Sequence, residues 1–505
     1  MRSPLRAGVA TVPLDPPLGV EMMGYGARTG RARERHDPLG ARACYLRSTS
    51  DDLLVVELDV CLIAPSQADA LRREVERKTG IARDRILVGS IHTHSGPDTG
   101  FAALLAGREP PAFVSGLFDA ALRAAEAALA SAAPARLGLA RAEARIGRNR
   151  RRADGPLDPE VLVARIDRDD GRPLAVLFVH GCHPTALGHE NLAYSADWPW
   201  AARDEIESAL PGATALFLLG AHADVDPRTR GLLDLAIPNQ SVGVGFDEVE
   251  RLGREIGRAV AEAAAGAATS ASAPVGAAST RTAIPVHGGD LEAGYEEWLS
   301  GTRSAALAAL DLPSDAKLRT ADFYRLERER TQGLEAGERR ERIARVRRHL
   351  RDRTAPRFAF ARVPEVETQV LRLGDALLLG LPLEPTVDVG LDWKARIAPS
   401  PGAVLGIANG WMRYLPHPRN FAEPDAHMKY EILQSTLVPD AAALLLDAGQ
   451  GLAKELPGGK GACASPACAS RACATSWGAR PRAVRWSCAA GSRPRATRRS
   501  ARSSR

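Results

Sequence analysis

Four apolar runs in this sequence end in imidazole or carboxylate side chains, and that repetition limits the folds open to the chain. "ILVGSI" (86–91) runs into His92 and His94, and "LAVLFV" (174–179) into His180 and His183. "ALFLLG" (215–220) precedes His222, Asp224 and Asp226, and "ALLLGLPL" (376–383) precedes Glu384. Short apolar runs of this kind read as buried strands. Between them lie helical patterns: "SQADALRREVERKTG" (66–80), closing at Gly80, and the Ala-rich "AFVSGLFDAALRAAEAALASAA" (112–133). Further helices are expected from about Trp198 to Leu210 and from about Asp247 to Ala268. Strands alternating with helices predict an α/β fold, mixed sheets flanked by helices, as one large domain over 1–455. Ligands bind at the carboxyl ends of such strands, so the polar residues are expected to share one cleft. Two or three histidines with a carboxylate are the donor set of a catalytic zinc site. A strand sends alternate side chains to the same face, so His92 and His94 are expected to point together where their strand leaves the core.

Charge excludes a nucleic-acid partner. The formal net charge is +6, but residues 457–505 hold Lys460 and ten arginines without an acid, leaving −5 for the rest. That Cys/Ala/Arg/Ser-rich tail, 456–505, has no helical or strand period and reads as disordered. It carries four of the seven cysteines, in a spacing that fits no zinc module. Cys44, Cys61 and Cys182 remain, which suits a reducing compartment. No run reaches the roughly 18–20 apolar residues of a membrane-spanning helix, and no signal peptide is visible, so the chain as written is expected to be cytoplasmic. Export stays open if the true start lies upstream.

Each residue also has a plainer reading. Taken alone, His180, His189 or Asp224 reads as a hydrogen-bonding loop or cap residue. Arg150, in "RNRRR", reads equally as part of a solvated basic loop, and Tyr414 as a core aromatic.

"HTHSGP" (92–97), with "AGVATVPLDPPLGVEMMGYG" (7–26), resembles the catalytic domain of the neutral/alkaline ceramidases, which are zinc amidases. The resemblance continues through "GRNRR" (147–151), "CHPTALGHENLAYSADWP" (182–199), "FLLGAHADVDP" (217–227), "GLPLEPTVDVGLDWKAR" (380–396) and "ANGWMRYLPHPRNFAEPDAHMKYE" (408–431). It implies a zinc ion held by His92, His183, Glu384 and Tyr414. It places His94 beside the metal-bound water or substrate carbonyl, and gives Arg150 and Tyr430 substrate-binding and carbonyl-polarising positions. Where the family reads Gly-Asp-x-Ser-Pro with an essential serine, this chain has Asp226. That carboxylate is a candidate general base, a further metal ligand or a helix cap. The family's C-terminal immunoglobulin-like domain is not expected here.

The resemblance thus implies zinc-dependent hydrolysis of an N-acyl amide, with a small-molecule or lipid-like substrate that need not be ceramide. The alternative is a non-catalytic or differently specialised metal-binding protein on the same scaffold, suggested by the missing serine. An amidohydrolase barrel is disfavoured, because the charged stretch 290–355 breaks a regular eightfold βα rhythm. Within that stretch, residues 323–353 read as a solvated surface helix or part of a lid. Metal-bound imidazoles must be neutral, so activity is expected to fall below about pH 6, near the ordinary histidine pKa of about 6.5. A pH–rate profile flat down to about pH 5 would contradict this.

Overall fold

In the computed structural model, the described residues are 5–25, 28–49, 51–105, 108–230, 243–285, 364–423, 429–435 and 437–456. The charged stretch 290–355, with its candidate surface helix or lid at 323–353, and the basic tail from residue 457 lie outside them.

Eight strands form the larger sheet. They are β1 (Arg6–Leu14), β2 (Leu39–Arg47), β3 (Asp52–Leu58), β4 (Ile86–Ser90), β5 (Ala133–Glu143), β6 (Glu160–Arg168), β7 (Pro173–His180) and β8 (Thr214–Leu219). Their order is β8-β7-β6-β5-β1-β2-β3-β4. The centre is antiparallel, while the outermost pairs, β3 with β4 and β7 with β8, are parallel. A smaller sheet joins β9 (Val275–Ala283), β10 (Glu365–Leu373), β11 (Ala376–Gly380) and β12 (Gly402–Leu405). The hairpin expected at Gly374-Asp375 is present, with Leu373 opposite Ala376.

Period-two burial explains the layering. On β3, Leu54, Val56 and Leu58 face one core while Leu53 and Val55 face another. Both faces are buried, so the strand is apolar almost throughout. The first core lies beneath α1 (Pro65–Thr79), α2 (Phe113–Ala130), α3 (Trp198–Ala209) and α4 (Phe246–Ala265). The second lies between the sheets, where Leu53 and Val55 share a cluster with Leu371 and Leu378. Outside the smaller sheet, Trp393 of α5 (Val387–Ile397) and Leu445 of α6 (Ala441–Glu455) close a third. The result is helices, sheet, sheet, helices. No helix among the described residues is long and apolar enough to cross a membrane.

A buried ion cluster ties the edges of the larger sheet together close to the strand ends. Arg203 of α3 donates to Asp59 at 2.8 and 3.1 Å and to Glu57. Arg42 of β2 adds a bond of 3.1 Å to Asp59. Glu57 of β3 accepts from the Phe217 amide of β8 at 3.0 Å, linking strands far apart in the sheet order. Burial raises the Glu57 carboxyl to about 7 against the pull of Arg203 and Arg42. Removing one partner from such a network strands a buried charge. Arg203→Ala is therefore expected to lower unfolding stability by about 3–5 kcal/mol in urea titration. A loss no larger than that of the exposed Arg251→Ala would contradict it.

Candidate metal centre

Loops just beyond β4, β7 and β8, and the strand-like Glu384–Pro385 beyond β11, meet at one buried point. His92, His183, His222 and Glu384 each offer a donor atom there, all within 4.8 Å of one another.

His92 and His94 converge, but not as alternate side chains of a strand. β4 stops at Ser90, and His92 takes a left-handed backbone with φ 70°. Its amide donates to the Val60 carbonyl at 3.0 Å and its Nδ1 lies 2.8 Å from the Cys61 carbonyl. These bonds hold a conformation that non-glycine residues rarely adopt. The two rings are edge to face, with Nε2 atoms 3.3 Å apart. Gly24, at φ +112°, leaves room for His94, since a Cβ there would sit 2.4 Å from its Cγ.

His183 Nδ1 lies 3.2 Å from the Val225 carbonyl, and His222 Nδ1 lies 2.8 Å from that of Gly220. With Nδ1–H donated to a carbonyl, each Nε2 carries a lone pair. The Nε2 atoms of His183, His222 and His92 stand 3.3, 3.5 and 3.6 Å from Glu384 Oε2. The other oxygen, Oε1, accepts from Trp411 Nε1 at 2.7 Å.

Burial drives His222 down to about 3 and also lowers His183, beside Arg150. Burial, His92 and His183 push His94 well down. Burial opposes charge on His92 too, but Cys61 and Glu384 outweigh it and raise this one imidazole. Burial would raise Glu384, yet His92 and the other two imidazoles facing it bring it far below the ordinary range. The positive charge beside Glu384 can be carried by His92 itself, and the donor set is also one that fits a metal ion.

The remaining expected residues form an adjoining group. Arg150 is buried rather than part of a solvated loop, binding Glu431 at 2.8 Å and Asp226 at 3.2 Å. Arg150 holds Asp226 below the usual carboxylate range, although burial opposes it. Asp226 Oδ1 is 3.6 Å from His183 Nδ1. Tyr414 pairs in register with Glu384. The rings of Tyr414 and Tyr430 are 5.4 Å apart, and Arg150 lies 5.5 Å from the Tyr430 ring centre.

His180 is buried but stands apart from the cluster, its Nδ1 3.5 Å from the Glu160 carbonyl. Asp224 accepts from the Val387 amide at 2.8 Å, at the start of α5, which is the plainer reading of that residue. Glu431 and Trp411 were not singled out in the sequence, since neither follows an apolar run. His222 was visible at its strand end, yet the resemblance gave no donor role to that position.

The fold and the buried donor cluster define a mixed α/β protein with a candidate metal centre at its strand ends. No family model matches the chain. Its sequence is 26% identical over 468 residues to neutral ceramidase of Mycobacterium tuberculosis, covering 80% of this chain and 70% of that protein. It is 29% identical over 255 residues to neutral ceramidase A of Dictyostelium discoideum, covering 43% of this chain and 35% of that one. A solved ceramidase complexed with C2 superposes with a TM-score of 0.65 at 19% identity, over 90% of this chain and 76% of that one. Neutral ceramidase from Pseudomonas aeruginosa gives 0.63 at 20% identity, over 90% and 75%. This is a neutral ceramidase-like chain with the fold of those structures.

Gly24→Ala would force the left-handed backbone onto alanine and drive a methyl group into His94. It is expected to cost about 1–3 kcal/mol in chemical denaturation. Unchanged stability would mean that His94 is free to move aside.

Proposed function

We propose that this protein is a zinc-dependent hydrolase of N-acyl amides, of ceramidase type. The observation that carries the reading is the convergence of buried imidazole lone pairs on one Glu384 oxygen, beside a second group of ionised and phenolic side chains. The curated and structural relatives support amide hydrolysis as the chemistry. Ceramide is one candidate substrate among N-acyl amides.

His92, His183 and Glu384 would hold the ion, and the family resemblance offers Tyr414 as a fourth donor. Bound zinc supplies Lewis-acid polarisation of an acyl carbonyl and lowers the pKa of water toward about 7. Asp226 accepts the proton of the attacking water at its carboxylate, in the place where the family has serine. Arg150, shared with Glu431, fixes the orientation of Asp226 and keeps it ionised. The family resemblance puts His94 and Tyr430 beside the reacting carbonyl. Tyr430 donates to the carbonyl oxygen as charge develops there. The proton taken up by Asp226 returns to the departing nitrogen as the C–N bond breaks, giving a carboxylate and an amine, while the neutral His94 imidazole hydrogen-bonds the leaving group.

Metal analysis of the purified wild type and His92→Ala, with a hydrolysis screen from short N-acyl amino acids to ceramide, tests this reading. The expected result is about one zinc per chain, lost with His92, together with turnover of at least one amide. Zinc without turnover would favour the binding-protein alternative, and a wild type that takes up no zinc would exclude the centre.

A further inference from the structure

The donor cluster contains one imidazole more than the family resemblance implies. His222 meets the same tests as His183. It is fully buried, its Nδ1 is committed to a backbone carbonyl, and its Nε2 has no hydrogen-bond partner. His183 Nε2 and Glu384 Oε2 also lack one. Acceptors facing acceptors in a buried pocket are unfavourable unless a cation lies between them.

The spacing is informative. Donors bound to zinc at about 2.0–2.2 Å in a tetrahedron are separated by about 3.3–3.6 Å. The three imidazole nitrogens stand 3.3, 3.5 and 3.6 Å from Glu384 Oε2.

Local backbone structure also commits His222 to this place. The Ala223 amide donates to the Pro385 carbonyl at 2.9 Å, joining the His222 loop to the Glu384 loop. Gly406 packs flat against the imidazole, where a Cβ would come within 2.7 Å of His222 Cε1. Tyr414 lies in register with Glu384 and within reach of its charge, but its hydroxyl is already engaged by Arg150 and its ring by Tyr430.

We infer that His222 is the fourth protein donor, completing a His92–His183–His222–Glu384 set, and that Tyr414 lies outside it. This rests on the metal-centre part of the reading above, not on the identity of the substrate. Three neutral imidazoles and one carboxylate leave a divalent ion with a net positive charge, whereas a tyrosinate would cancel it. Tyr414 keeps its hydroxyl proton and can donate to the acyl carbonyl oxygen. With four protein donors, zinc would accept a substrate oxygen as a fifth ligand, which its chemistry allows.

The test is X-ray absorption spectroscopy of the zinc-loaded full chain, paired with zinc affinity by chelator competition. Three imidazoles are expected in the wild type and two in His222→Ala, with zinc Kd raised by more than about 100-fold, beyond the loss typical of a supporting residue. Gly406→Ala, which displaces His222 without deleting it, should weaken zinc in the same direction. Tyr414→Phe and His180→Ala should leave both the imidazole count and Kd unchanged. Should His222→Ala fail to fold, the wild-type imidazole count decides alone. Two imidazoles in the wild type, or zinc lost with Tyr414→Phe and kept with His222→Ala, would overturn the inference. Three imidazoles without turnover of any amide would refute the hydrolase reading and leave His222 in place. Turnover with a two-imidazole centre would do the reverse.

Discussion

One buried carboxylate oxygen, Glu384 Oε2, faces three imidazole nitrogens, and much of the fold serves to hold that arrangement. Water, which would ordinarily separate such groups, is largely excluded, so their mutual orientation is set by the backbone. The carbonyls of Cys61, Gly220 and Val225 fix the tautomers of His92, His222 and His183 in turn. Cys61 and Gly220 lie just beyond strands, and Val225 opens the short strand Val225–Pro227. The geometry of the donor cluster is therefore set by the backbone at the strand ends, and the sheets supply the rigidity.

That rigidity has an identifiable source. Glu57 and Asp59 lie just before the segment that receives His92, and Arg203 pins them to α3. Phe217 of β8 donates to Glu57 two residues before the strand ends at Leu219, on the way to His222. The segment 406–409 closes the gap from the other side. Gly406 donates to the Leu219 carbonyl at 2.9 Å and Asn409 to that of Val88 at 2.7 Å. Strand ends from both sheets are thereby locked within hydrogen-bonding distance of one another. The Arg150–Asp226–Glu431 group adjoins them through Asp226 and His183.

Much of this was legible in the sequence because buried strands leave long apolar runs, and charged groups placed directly after them stand out. The His92–His94 pair stands out that way, but its convergence comes from the left-handed backbone at His92 and not from strand alternation. A left-handed residue fixed by two carbonyls of a distant loop leaves no local sequence signal. Arg150 looked like one arginine among several because its burial depends on Glu431, 281 residues away. His222 stood in plain view, but which strand-end histidine enters the cluster depends on strand order. His180, at the end of the neighbouring strand, is turned elsewhere. Asp224 shows the converse, a carboxylate beside the centre whose task is to anchor α5.

The most direct measurement is diffraction at the zinc absorption edge from crystals of the full chain grown with zinc. The account expects a single strong anomalous peak enclosed by His92, His183, His222 and Glu384. A zinc-loaded crystal with no peak among those four side chains, or with the ion bound elsewhere, would contradict it.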